Sequence, residues 1–125
     1  MRADRTTLLA VAVLLTLPAC NLQIQSSAAE VAGGAAGKGR AAIDRYGCAS
    51  CHTIPGISAP EAFVGPPLDH IARRVYIGGV LTNTRENMVR WIMDPPAIDP
   101  RTAMPNLNVT DQDARDIAGY LYTLR

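Results

Sequence analysis

The sequence predicts an all-α fold, one small domain over residues 38–125 built from about three or four short helices. Three observations carry that expectation. Apolar residues recur at helical spacing in three separate segments, each with a start or stop signal of its own. No run alternates cleanly enough to make a strand. The aromatic complement is one Phe, one Trp and four Tyr, which is little mass for a core of this size, so something besides side chains is expected to fill it.

Residues 1–19 stand apart from that domain. Arg2 and Arg5 precede the apolar run Leu8–Leu15, followed by Leu17-Pro18-Ala19-Cys20. This is the layout of a secretory signal, and the apolar part is short for a membrane span. Leu17, Ala19 and Cys20 resemble the lipobox of bacterial lipoproteins. That resemblance makes Cys20 the lipidated first residue of the mature chain; the other reading is an ordinary cleavage that leaves an odd thiol. Two acyl chains on Cys20 would give a stable anchor. Residues 20–37 are rich in Ala, Gly, Ser and Gln and read as a flexible tether reaching about 20–25 Å, with a weak Ala-rich helix as the plainer reading. Removing residues 1–19 takes two of the 12 basic and one of the 11 acidic residues, leaving ten of each. A near-neutral chain has no basic field to draw in nucleic acid, and docking is expected to lean on a small apolar patch.

The first helix is expected from Gly37 to Tyr46, with Ala42, Ile43 and Tyr46 on one side and Gly47 as the stop. A short helix is plausible near Leu68–Val75. The next runs over Thr84–Met93: Thr84 or Asn83 caps it, Glu86 favours the first turn, Met88, Val89, Trp91 and Ile92 supply apolar surface, and Pro95 ends it. The last runs from Asp111 to Leu124, opened by a capping-box-like Thr110 and Asp113, with Ile117, Tyr120, Leu121 and Leu124 as its apolar stripe.

Between the first two lies Cys48-Ala49-Ser50-Cys51-His52. Thiols at i and i+3 sit one helical turn apart, a spacing that meets two vinyl groups along a porphyrin edge, and the next residue is an imidazole placed to ligate iron. The motif therefore predicts one haem c, held through Cys48 and Cys51 with His52 as a metal ligand. Three plainer readings compete. A thioredoxin-like pair expects βαβ surroundings that are absent from the pattern. A zinc site needs four ligands, or three plus water, and with Cys20 otherwise occupied a third thiolate is not expected, although Cys48, Cys51 and His52 alone could weakly hold a metal. A plain disulfide is the third.

With these residues in view, the chain resembles a class I c-type cytochrome over nearly all of 38–125. The family's landmarks stand here in order as Gly39 and Ile43, Cys48–His52, Gly65-Pro66, Met104, and Ile117 with Tyr120. The resemblance implies a small class I cytochrome c fold wrapped around the covalent haem, with first and last helices crossing closely. Gly39 and Gly119 are the residues expected to permit that approach. It also implies that the Pro66 carbonyl accepts the His52 ring N–H, and that Arg74 pairs with a haem propionate, with Arg73 as its neighbouring competitor. Tyr76 and Trp91 are further donors that could reach a propionate.

The candidates for the second metal ligand are Met88, Met93, Met104 and His70. Met104 is preferred, because it lies in a loop stiffened by Pro95, Pro96, Pro100 and Pro105 just ahead of the last helix. Met88 and Met93 read as core, and His70 as a surface histidine. A closed His/Met pair favours outer-sphere electron transfer, so the expectation is an electron carrier and not an enzyme, with no small-molecule substrate.

A narrower resemblance, in Val64–Leu68, Tyr76–Gly79 and Asn83–Ile92, is to the haem-c domain of subunit II of some terminal cytochrome oxidases. It implies a redox protein partner, a terminal oxidase, which the chain would serve as a separate donor or accessory subunit. The expected location is the periplasmic side of a bacterial cell envelope, lipid-anchored. The rival expectations are a subunit of a periplasmic dehydrogenase or reductase, and a haem enzyme or gas sensor in which Met104 swings away.

Overall fold

The computed structural model describes residues 36–125; the expected signal, Cys20 and the tether up to residue 35 lie outside the described residues. Four helices and one small hairpin make up the described part. Helix α1 covers residues 36–45, already including two residues expected in the tether. Its buried side is Gly39, Ala42 and Ile43, with Tyr46 half-buried just beyond its end, the i, i+3, i+4, i+7 spacing of one helical face. Gly47, at a φ of 66°, turns the chain out of the helix.

Helix α2 is Arg85–Met93, and Thr84 is its cap, its side chain accepting the Asn87 N–H at 3.2 Å. Asp94 ends α2 and then caps a second short helix, α3, Pro95–Ile98, by accepting the Ala97 N–H. Pro95 thus stops one helix and starts the next, where its missing N–H costs nothing. Helix α4 is Asp111–Leu121, three residues shorter than expected. The Tyr122 and Thr123 amides fold back onto Ala118 and Tyr120, so the apolar spacing continues to Leu124 in a turn after helix geometry has stopped. In the N-terminal cap of α4 the Thr110 hydroxyl accepts the Asp113 N–H. The reciprocal half of a capping box is taken by another residue: the Tyr46 hydroxyl accepts the Thr110 N–H and donates to Asp113 at 2.8 Å.

The expectation of no sheet is corrected. Strands β1, Tyr76–Ile77, and β2, Leu81–Thr82, pair antiparallel with Tyr76 opposite Thr82 and Ile77 opposite Leu81. Two residues per strand are too few to show alternation. The legible signal is Gly78-Gly79, both at positive φ, as a tight primed hairpin turn requires. The helix expected near Leu68–Val75 is a single 3-10 turn, Ile71–Arg73.

Helices α2 and α4 pack together, and Ala114, Ile117, Ala118 and Leu121 of α4 join Met88, Val89, Trp91 and Ile92 of α2 and Ala42 and Ile43 of α1 in one core. Where α1 meets α4, a methyl group on Gly39 would collide with the Asp116 carbonyl and the Tyr120 Cβ. Gly119 has no such role: its missing side chain would point into open space, which corrects the expectation that both glycines serve the crossing. Asn83, weighed as a helix cap, is instead a hub. Its Nδ2 donates to the carbonyls of Ile71 and Arg74, both at 2.8 Å, and its Oδ1 accepts the Tyr122 hydroxyl at 2.6 Å. It ties the 3-10 turn to the end of α4.

Candidate functional site

The Cys48–His52 segment is one tight turn. Cys48–Ser50 forms a 3-10 helix, and the Cys51 and His52 amides both return to the Cys48 carbonyl. Both thiols are free and half-buried. Burial pushes the Cys48 thiol up, and the Cys51 and Asp44 charges add to that against a backbone hydrogen bond that lowers it. Such a thiol stays protonated near neutrality, the opposite of the electropositive setting of a thioredoxin-like nucleophile. Among the described residues no three His, Cys, Asp or Glu side chains converge as a metal cluster.

His52 is held on two sides. Its Nδ1 lies 2.7 Å from the Pro66 carbonyl. A carbonyl only accepts, so Nδ1 carries the proton and Nε2 keeps its lone pair free for a metal. The partner loop is set by two backbone bonds flanking Pro66: Gly65 N–H to Cys51 and Leu68 N–H to Thr53. Gly65 lies so close under the imidazole that a Cβ there would strike Nδ1 and Nε2. The ring is therefore fixed in plane as well as in tautomer.

Cys48, Cys51, His52, Gly65 and Pro66 line one cavity of about 490 Å³, within the ~300–1,000 Å³ range of cofactor pockets. Its walls are chiefly aliphatic and aromatic, with Ile43 from α1, Met88, Trp91 and Ile92 from α2, and Ile117 and Leu121 from α4. Of the four candidate second ligands, Met104 and Met88 reach the wall. Met88 does so from within the α2 core, and Met104 from the loop ahead of α4. Met93 packs against the core away from the cavity, and His70 is an exposed residue at a φ of 51° beside Asp69.

Arg74, Tyr76 and Trp91 line the cavity and Arg73 does not. The Arg74 Nη2 group donates to the carbonyls of Pro67 and Asp69, so this side chain braces the loop that supports His52. Trp91 is buried with its six-membered ring edge against Gly78, where a Cβ would collide. Tyr76 is more than half exposed, and the exposed apolar side chains Val64 and Leu107 also reach the cavity. Two polar lining residues, Asp99 and Thr102, were given no role in the sequence reading. Their signal was local: an Asp-Pro step and a Thr two residues ahead of Met104, both side chains that hydrogen-bond nearby backbone.

Fold and site together define a small helical protein with one large, chiefly apolar cavity, into which a single turn presents two thiols and an imidazole. The chain belongs to the cytochrome c family: the model of that family, described as Cytochrome c, matches residues 36–125. Members of the family carry covalently bound haem c and transfer electrons. The chain is also similar to the cytochrome c oxidase subunit 2 of Alkalihalophilus pseudofirmus, 29% identical over 91 residues, which cover 72% of this chain and 26% of that protein. The cytochrome c oxidase subunit 2 of Bacillus sp. (strain PS3) is 26% identical over 88 residues, 67% of this chain and 25% of that protein. The match thus spans about a quarter of each relative's length.

The described residues fit haem c. The donor set suits it, the cavity is large and apolar, and Gly65 leaves room for the imidazole alone.

Proposed function

We propose that this chain is a monohaem one-electron carrier in which Cys48 and Cys51 would hold haem c covalently and His52 and Met104 would ligate its iron. The observation that carries this is the hydrogen bond from His52 Nδ1 to Pro66, which leaves Nε2 as the free nitrogen in a cavity that Met104 also lines. When bound, the haem supplies an iron that gains and loses one electron. The protein's part is to hold that centre without rearrangement. Pro66 and Gly65 fix the imidazole, the α1, α2 and α4 side chains exclude water, and Arg74, Tyr76 and Trp91 line the cavity as donors that could meet propionates. With His52 and Met104 both held by the iron, no site on it would be left for a substrate, which is why electron transfer is preferred to catalysis.

The partner is read as a terminal oxidase, on the likeness to the two cytochrome c oxidase subunit 2 proteins and on the exposed apolar side chains Val64, Tyr76 and Leu107 that reach the cavity. Lipid attachment at Cys20 would hold the carrier on the periplasmic side of a bacterial membrane, near such a partner. Stopped-flow oxidation of the reduced protein by membranes containing a terminal oxidase tests this reading. We expect rapid, cyanide-sensitive oxidation whose rate changes little with salt, since Val64, Tyr76 and Leu107 carry no charge. Oxidation no faster than with oxidase-free membranes would remove the oxidase as partner. For the anchor, Cys20→Ser is expected to release the protein from membranes, and persistent attachment would contradict it.

A further inference from the structure

The Met104 loop carries a second set of restraints beyond its prolines. Between Pro100 and Pro105 four residues have an N–H, and three of those groups end on Asp99 or Thr102. Asp99 Oδ1 accepts the Arg101 N–H at 3.0 Å, the Asp99 carbonyl accepts the Thr102 N–H at 3.0 Å, and the Thr102 hydroxyl accepts the Met104 N–H at 3.2 Å. The Asp99 amide is tied in turn to the Pro95 carbonyl of α3. Asp99 does not behave as a surface turn residue. Its side chain is 17% exposed against 88% for its ion-pair partner Arg101, and Asp99 and Thr102 both line the cavity.

We propose that Asp99 and Thr102 are positioning residues for the Met104 thioether: they hold the loop closed and so set how often the sixth position opens to a small neutral ligand. This rests on Met104 being the axial ligand. The chain of bonds runs from α3 through Asp99 and Thr102 to the Met104 amide, so cutting it frees the residue that carries the sulfur. A neutral thioether binds iron weakly, and loop freedom is what competes with it. Each hydrogen bond lost should raise the open population about threefold, and loss of both about tenfold.

The test uses the purified holoprotein and carbon monoxide as probe. The variant Asp99→Ala/Thr102→Val removes both side-chain acceptors, while Asp99→Asn and Thr102→Ser keep them. Val89→Ala loosens the core without touching the cavity wall and controls for general destabilisation. We expect the double variant to bind carbon monoxide roughly tenfold faster in the ferrous state, and its ferric iron–sulfur absorption band to vanish at lower pH than in the parent. Asp99→Asn, Thr102→Ser and Val89→Ala should stay close to the parent on both readouts. Unchanged binding and band in the double variant, with a band that Met104→Ala abolishes, would overturn the positioning role and leave the ligand assignment standing. An equal shift in Val89→Ala would also overturn it. Absence of the band in the parent itself would remove the axial methionine and this proposal with it.

Discussion

Glycine 39 and glycine 119 lie on opposite ends of the same expectation, and substituting each by alanine should move stability in opposite directions. At Gly39 the new Cβ would meet the Asp116 carbonyl carbon and the Tyr120 Cβ, each 2.8 Å away, besides the Asp116 carbonyl oxygen. Two of these atoms are backbone and the third is fixed to it, so α1 and α4 must separate. Overpacking costs about 1–3 kcal/mol, and contacts that cannot rotate away put this case near the top of that range. Alanine returns about 1 kcal/mol of helix propensity, leaving a net loss of about 2 kcal/mol. For a domain of this size that is a fall in Tm of roughly 8–16 °C. At Gly119 no atom lies within 4 Å of the added methyl, so the propensity gain stands alone. Gly119→Ala should raise Tm by up to roughly 4–8 °C. Thermal unfolding of the two purified variants, followed by circular dichroism, decides the matter. A neutral Gly39→Ala, or a Gly119→Ala as damaging as it, would refute the crossing.

Two further outcomes follow from the polar contacts. Hydrogen bonds from Tyr46 and then Thr110, with the Arg45 charge adding, hold the Asp113 carboxyl below the usual carboxylate range despite some desolvation. A folded pKa below the unfolded one means that stability is present above the ordinary value of 3.8 and is lost as pH falls through the lower folded pKa. Denaturant titrations should therefore show Asp113→Asn less stable than the parent at neutral pH, with the gap closing under acid; a constant gap would count against the assignment. Asn83→Ala removes two donated bonds and leaves the Tyr122 hydroxyl without its acceptor, a loss of about 2–3 kcal/mol by equilibrium unfolding. A change below half that would show the hub to be dispensable.

What was legible in the sequence was whatever rests on local chemistry. The Cys48–His52 spacing, the Thr84 and Thr110 caps and the stripe on α4 are short-range patterns, and the structure forms the corresponding turn and helices within a few residues of the expected ends. What stayed hidden depends on residues far apart in the chain. The share of the α4 cap taken by Tyr46 spans 64 residues, and Asn83 meets Tyr122 across 39. Neither side chain differs locally from an ordinary core tyrosine or helix cap. Gly119 misled for a related reason: a glycine on the last helix is compatible with a close crossing, but whether it faces α1 depends on helix phase, and Gly39 meets Asp116 and Tyr120 instead. The hairpin was missed because its strands are only two residues long, leaving Gly78-Gly79 as the sole trace.

At the site, sequence spacing proposed the set and folding collected it. Cys48, Cys51, His52, Pro66, Arg74, Tyr76, Trp91 and Met104 all line one cavity, although they span more than half of the domain. The choice between Arg73 and Arg74 needed the structure, because adjacent residues differ only in the direction they face. His70, three residues after Pro67, needed no such help: it is exposed beside Asp69, in keeping with its reading as a surface histidine.

The central claim is that His52 and Met104 close the coordination of a covalently held haem, and absorption spectroscopy with potentiometry of Met104→Ala tests it most directly. The account predicts an iron–sulfur band in the ferric parent, its loss in the variant, and a lower reduction potential once the thioether is gone. A variant with the parent's band and potential would contradict it.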